Sequence, residues 1–245
     1  MPNHALLNNI EHKDLRIHTA RGPEYGDAVM SALTFPAEFR ELQAHYPIVF
    51  AKNADGNGFD PLALFGFQQG ENLFLDGAKW EAPVIPLTHE RQPFLIGRGG
   101  EELSVHIDLD HPRVASGSGA GAIGEPLFLT YGGTSEYLER IASVLRTIHD
   151  GLEASTGFMA ALQELELLEP FVLEVELDDG SQHRLEGFHT IHEERLAALS
   201  GERLERLNRA GYLGAIYMAI ASLSQFRALI DRKNRSLGLP HARHR

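Results

Sequence analysis

The sequence predicts an α+β protein, with an antiparallel, strand-rich N-terminal half packed against a helix-rich C-terminal half that contains a β-hairpin. Three observations predict it. Up to residue 109, short apolar runs alternate with Gly/Asn/Asp turns, the cadence of an antiparallel meander. Beyond residue 134 the period changes: Tyr137, Leu138, Ile141, Val144, Leu145 and Ile148 recur at helical spacing and make one apolar stripe. Between the two, residues 111–125 are rich in Gly, Ser and Ala and read as a linker.

Residues 1–35 read as an extended arm with strand pieces at Leu15, Ile17 and Val29 to Leu33. Pro36 to Gln43 reads as a short helix, with proline at the first position, where its missing N–H costs nothing. The next predicted strands are YPIVFA (46–51), LALFGF (62–67) and LFL (73–75), then VIPL (84–87), PFLIG (93–97) and LSVHIDL (103–109). Pro83, Pro86 and Pro93 place theirs at edges or bulges.

Thr134 or Ser135 can cap the following helix, and Glu136 suits the positive end of its dipole. Gly151 and Gly157 are expected to interrupt it before a second helical stretch, Met159 to Leu168, that stops ahead of Pro170. FVLEVELDDGSQHRLEGF (171–188) alternates apolar and polar residues about Asp179-Gly180, which predicts a hairpin. Helices at 192–199, 202–210 and 213–233 close the chain. In the last, Leu213, Ile216, Tyr217, Ile220, Leu223 and Phe226 form the expected packing face. Ala215, Ala219, Ala221, Ser222 and Ser224 lie between them and permit close helix approach, which also suits a homodimer contact. Because the hairpin can extend the front sheet, one interwoven domain over 1–245 is expected. Its parts are β structure over 1–110, the linker over 111–133, helices with the hairpin over 134–235, and a flexible tail over 236–245.

Composition narrows the function. Hydrophobic residues make up 43% and charged residues 23%, ordinary for a globular chain of 245 residues. A formal charge of -12 argues against a nucleic-acid partner, which needs a basic face. The late basic residues Arg227, Arg232, Lys233, Arg235, Arg243 and Arg245 suit a helix end and a tail. The absence of cysteine removes disulfides, thiolate nucleophiles and cysteine metal sites. No N-terminal apolar run suits a signal peptide, and no stretch approaches the roughly 18 apolar residues of a membrane span. A bacterial cytoplasmic location is expected, with signal-less export left open.

Most chemical motifs fail on inspection. Gly119-Ala120-Gly121-Ala122-Ile123-Gly124 matches G-x-G-x-x-G, but Glu125-Pro126 follows where a helix must open. Asn53-x-Asp55-x-Asn57-Gly58 matches half a calcium loop, yet Leu64 stands where the bidentate Glu belongs, so a hairpin turn is the plainer reading. His89-Glu90 and His192-Glu193 begin H-E-x-x-H, with Pro93 and Leu196 in place of the second histidine. His106-x-Asp108 lies on a predicted strand, where alternation puts both side chains on one face, the local geometry of a two-His-one-carboxylate iron site. A distal histidine, His189 or His183, would complete it. The helical second half is not the usual setting for such an oxygenase. No cofactor is therefore expected, with iron as the alternative.

Several blocks carry a resemblance over most of the chain: HYPIVF (45–50), LALFGFQQGENLFLDGAKWEAPVIPLTHERQPFLI (62–96), LEPFVLEVELDDGSQHRLEGFHTIHEERLAALS (168–200) and LNRAGYLGAIYMAIASLSQFRALIDRKN (207–234). In these the chain resembles the SapC family of bacterial proteins, departing from it in the glycine-rich 111–134 stretch. The family is named from a surface-layer locus. Its members are often encoded near outer-membrane receptors, flavin-dependent halogenase-like proteins and cupin-type hydroxylases. The resemblance implies no established catalytic set. With no complete catalytic constellation in the sequence, a non-catalytic binding or accessory protein is expected, recognising a peptide, a protein partner or a small ligand in a bacterial surface or modification pathway; an iron-dependent oxygenase-type enzyme using His106-x-Asp108 is the alternative.

Within the block 71–94, Asn72, Asp76, Trp80, Arg91 and Phe94 supply an aromatic wall, a fixed cation and polar tips, the makings of a site for a carboxylated or aromatic group. The competing reading makes Trp80 and Phe94 core residues and pairs Arg91 with a carboxylate such as Asp76.

Overall fold

A computed structural model describes residues 3–99, 102–117 and 122–238. In chain order the strands begin with β1 His4–Leu6, β2 Leu15–Ile17, β3 Ser31–Leu33, β4 Ile48–Lys52 and β5 Phe59–Leu64, then β6 Leu75–Asp76 and β7 Lys79–Trp80. They continue as β8 Phe94–Gly99, β9 Glu102–Asp108, β10 Val114–Ser116, β11 Glu125–Pro126, β12 Leu168–Glu176 and β13 Gln182–Ile191. The helices are α1 Phe39–Leu42, α2 Leu87–Glu90, α3 Glu136–Glu164, α4 Glu193–Ala197, α5 Gly201–Arg209, α6 Tyr212–Ser222 and α7 Gln225–Ser236. A 3-10 turn spans Pro23–Tyr25. Strands dominate the front and helices the back, with the hairpin β12–β13 among them, so the fold is α+β.

Two compact units interleave along the sequence. The first takes Met1–Ala28, Leu75–Trp80 and Leu87–Asp150; the second takes Val29–Phe74, Glu81–Pro86 and Gly151–Arg245. In the first, β9 lies between β1 and β8, all antiparallel. A second small sheet holds β2 between β10 and β11. Both flanks of the glycine-rich stretch thus pair with one strand. The Arg16 guanidinium also donates to the carbonyls of Gly117 and Gly124 at 3.3 and 2.6 Å. Residues 118–121, which include Gly119 and Gly121 of the G-x-G-x-x-G match, lie outside the described residues, as do Arg243 and Arg245. Ile17, Phe94, Ile107, Leu127, Leu138, Ile141 and Leu145 form this unit's core. The last three are the stripe the sequence predicts, and Ser135 Oγ caps their helix by accepting from Leu138 N at 3.2 Å.

The second unit is built on a five-stranded sheet in the order β12-β13-β4-β5-β3. The hairpin does join the sheet of the N-terminal strands, through Phe188↔Ala51 and His189↔Phe50. Its turn is the expected Asp-Gly: Asp179 Oδ1 accepts from Ser181 N and Gly180 has φ 80, where glycine is unstrained. The helix does stop ahead of Pro170, at Glu164; Pro170 itself lies within β12, tolerated because β12 is an edge strand. Phe35, Phe39, Tyr46, Ile48, Phe50, Phe65 and Phe158 are fully buried in this unit.

Several expectations need correction. The helix starting at Glu136 runs unbroken to Glu164, through both glycines. A Cβ on Gly151 would come within 2.3 Å of the Phe35 ring, and one on Gly157 within 2.5 Å of the Tyr212 hydroxyl. These glycines permit close approach to the helix rather than break it. VIPL forms no strand: residues up to Pro86 are irregular and Leu87 opens α2. The helix expected from Pro36 is only the single turn α1.

The last helix is divided at Leu223–Ser224. There Ser222 Oγ donates to Ala219 O and Ser224 Oγ to Ala221 O, back-bonds that compete with the helical ladder. Its buried face is Ala215, Ile216, Ala219, Ser222, Phe226 and Leu229, while Tyr217 is exposed. The small residues serve contacts inside the unit, since Ile48 N donates to Ser222 Oγ at 2.9 Å. By length and composition alone, Tyr212–Ser236 would be long and apolar enough to cross a membrane, with 33% of its apolar window buried. Two late basic residues are pinned: Arg232 pairs with Glu81 and lies over the Phe74 ring at 4.3 Å, and the buried Lys233 pairs with Glu71.

Gly151→Ala is expected to lower stability by about 1–3 kcal/mol in urea unfolding, overpacking against Phe35 outweighing the better helix propensity. Gly214→Ala, in α6 with nothing within 4 Å of the new Cβ, should raise it by about 0.5–1 kcal/mol. A gain at both positions would contradict the close-approach role of Gly151.

Candidate functional site

The first unit buries a carboxylate. Asp27 has no exposed surface, and a bare charge there would be costly. Its partners come from segments far apart in sequence. The 3-10 turn Pro23–Tyr25, closed by Gly26 at φ 85, folds Gly22 N back to donate to Asp27 Oδ2 at 2.8 Å. Arg113, 3% exposed, donates Nη2 to both carboxylate oxygens at 2.7 Å. Its Nη1 reaches the carbonyls of His18 and Ala20 at 2.9 and 2.7 Å. His89, carried by α2, places Nε2 2.7 Å from Asp27 Oδ1. Arg21 Nη1 stands 3.4 Å from the same oxygen.

Aromatic rings surround these charges. The Trp80 ring lies 5.2 Å from that of His89, and Arg113 lies over Tyr25 at 5.5 Å, with His18 5.6 Å from Tyr25. Arg21 N donates to Ala78 O at 3.2 Å, which ties the Arg21 segment to the hairpin β6–β7 that ends at Trp80. Glu90, beside His89, pairs with Arg140, whose guanidinium lies 5.5 Å above the Tyr137 ring.

Burial pushes the Asp27 carboxyl up, but the hydrogen bonds with His89 and Gly22 and the Arg113 guanidinium outweigh it and hold Asp27 well below the usual carboxylate range. Burial, then the like charge of Arg113, pulls Arg21 down from its ordinary value. Burial also lowers His111, whose Nδ1 accepts from Arg113 N at 3.2 Å, and pushes the Tyr137 hydroxyl up to about 12. Two guanidiniums thus face one carboxylate. Arg113, His89 and Gly22 N hold it at 2.7–2.8 Å, whereas Arg21 makes one long contact with a side chain 18% exposed.

The residues expected from 71–94 are distributed as follows. Trp80 belongs to the cluster through His89. Arg91 donates to the Phe94 carbonyl, and burial pulls its guanidinium down. Phe94 is core, with no exposed surface. Asp76 is exposed on β6, opposite Lys79. Asn72 belongs to the second unit, where its Oδ1 accepts from Phe74 N at 3.0 Å.

His106 and Asp108 share a face of β9. His106 Nε2 lies 3.2 Å from Ser104 Oγ, with its ring over Gly97, while Asp108 Oδ1 accepts from Asn3 N and Asp110 N. His189 is in the second unit, edge-on to Phe59 at 4.6 Å, its Nδ1 buried without a partner. His183 lies 6.4 Å from the Phe67 ring. Among the described residues no three His, Asp or Glu side chains gather as a metal would need. The half calcium loop is a turn: Asn53 N donates to Gly58 O and Gly58 N to Asn53 Oδ1.

Sequence reasoning weighed His89 only as a zinc motif and missed Arg21, Asp27 and Arg113. No short motif marks them, for Asp27 and Arg113 are 86 residues apart.

Because the folded Asp27 lies below its unfolded value, its stabilisation is complete above about pH 4 and is lost as pH falls through the lowered folded value. Asp27→Asn should cost about 3–5 kcal/mol at pH 7 in urea unfolding followed by the lone Trp80, and less at pH 3. A cost independent of pH would contradict an ionised Asp27.

The sequence model of the SapC family matches residues 7–229, nearly the whole chain. No curated protein and no solved structure matches it. The chain belongs to the SapC family.

Proposed function

We propose that this chain is a non-catalytic binding protein of accessory type, whose ligand presents a carboxylate beside an aromatic or apolar group, as a peptide C-terminus or a small aromatic acid does. One observation carries the reading: Arg21 contributes a second guanidinium to a carboxylate already held by Arg113, His89 and Gly22, next to the segment bearing Trp80. An Arg fork with an aromatic face is the usual chemistry for recognising such a group. The buried His89–Asp27 contact resembles half of an acid–base pair. Asp27, however, is also locked by Arg113 and Gly22, which suits a fixed scaffold better than a group that exchanges protons.

The test uses N-acetylphenylalanine and its uncharged amide, titrated by calorimetry and by Trp80 fluorescence. The acid is expected to bind saturably. The amide, and the acid against Arg21→Gln, should bind about tenfold more weakly, equivalent to about 1.4 kcal/mol. Equal binding of acid and amide would overturn the proposal, as would turnover of a substrate by the purified protein with cofactor alone.

A further inference from the structure

The second unit contains a groove of about 500 Å³ that belongs to none of the chemistry above. One wall is a single face of α3, where Leu152, Ser155, Thr156, Met159, Ala160 and Gln163 recur at helical spacing. The facing wall is the start of β5, where Phe59 and Pro61 present apolar surface, together with Leu33 at the end of β3. Its size and apolar lining are those of a small-molecule site.

Three polar side chains around it are committed within the protein. Thr34 Oγ1 donates to Glu38 Oε2 at 2.9 Å, Asn53 Oδ1 accepts from Gly58 N at 3.2 Å, and Gln163 Nε2 donates to Asn57 O at 3.3 Å. Thr156 and Asp60 face solvent; Ser155 does not. It is 7% exposed, and its hydroxyl is sealed from solvent with no hydrogen-bond partner. A helical serine ordinarily bonds back to a carbonyl one turn earlier, and an unmade buried hydrogen bond is expensive. Electrostatics then narrows the occupant. Among the described residues Asp60 is the one charged side chain lining the groove, and a second carboxylate, Glu38, stands behind Thr34. An anion would enter against both.

We propose that this groove binds a small apolar molecule with a neutral or cationic amine at one end, any positive charge being offset by Asp60. The ligand class is thus opposite in charge to the one that the Arg21 cluster would take.

A matched pair of fluorescent probes tests it in the full chain: N-phenyl-1-naphthylamine, and the same skeleton carrying a sulfonate, 1-anilinonaphthalene-8-sulfonate. The amine is expected to saturate at one probe per chain, with the sulfonate at least about tenfold weaker. Ala160→Phe, at an exposed position on the groove wall, should weaken the amine by about tenfold without lowering the melting temperature. Asp60→Lys, on the exposed rim, should bring the two probes within about threefold of each other, which decides the matter even if Ala160→Phe folds poorly. The proposal is overturned if wild-type protein takes both probes equally, if amine binding fails to saturate, or if Asp60→Lys leaves the preference between the probes unchanged.

Discussion

The first unit depends on a carboxylate that has no exposed surface. Removing Asp27 from water costs several kcal/mol, and that cost is offset only if every lone pair finds a donor at once. The donors come from the turn at Gly22, from α2 and from the residues ahead of β10. The peptide dipoles of His18 and Ala20 complete Arg113 in turn. Each partner fixes the path of its own segment. The cluster therefore explains why short elements such as α2 and the 3-10 turn, each too small to be stable alone, hold one conformation. It also explains why charge accumulates there, because a second guanidinium is held close to a carboxylate that needs only one.

The second unit is held by a different physics. Its interior is aromatic, with Tyr46 between Phe65 and Phe74 at 5.3 and 4.6 Å and Phe39 edge-on to Phe158 at 6.0 Å. Its α3 residues approach their neighbours through glycines. Shape more than charge sets this unit; its buried ion pair is Lys233–Glu71, where Glu71 also accepts from Phe67 N. The groove beside Ser155 departs from that close packing.

What was legible in the sequence was local. The hairpin at Asp179-Gly180, the cap at Ser135 and the stripe Leu138, Ile141, Leu145 each depend on residues within a few positions of one another, and each is found in the structure. The errors arose where long-range packing overrode a local rule. Gly151 and Gly157 read as helix breakers because their neighbours Phe35 and Tyr212 are far off in sequence. Tyr217 fits the apolar period of the last helix, yet the smaller Ala215, Ala219 and Ser222 face the interior instead. The candidate site was legible in one residue, Trp80. Arg21, Asp27 and Arg113 are ordinary surface residue types, and nothing in their spacing announces that they meet.

The most direct test of the buried cluster is the coupling between Asp27 and Arg113, measured by a double-mutant cycle of Asp27→Asn and Arg113→Met in urea unfolding followed by Trp80 fluorescence. If the two form one satisfied unit, each single variant strands the other's partner and the double variant recovers part of the loss, a coupling of about 2–3 kcal/mol. Additivity within about 0.5 kcal/mol would show that the pair is not what organises the unit.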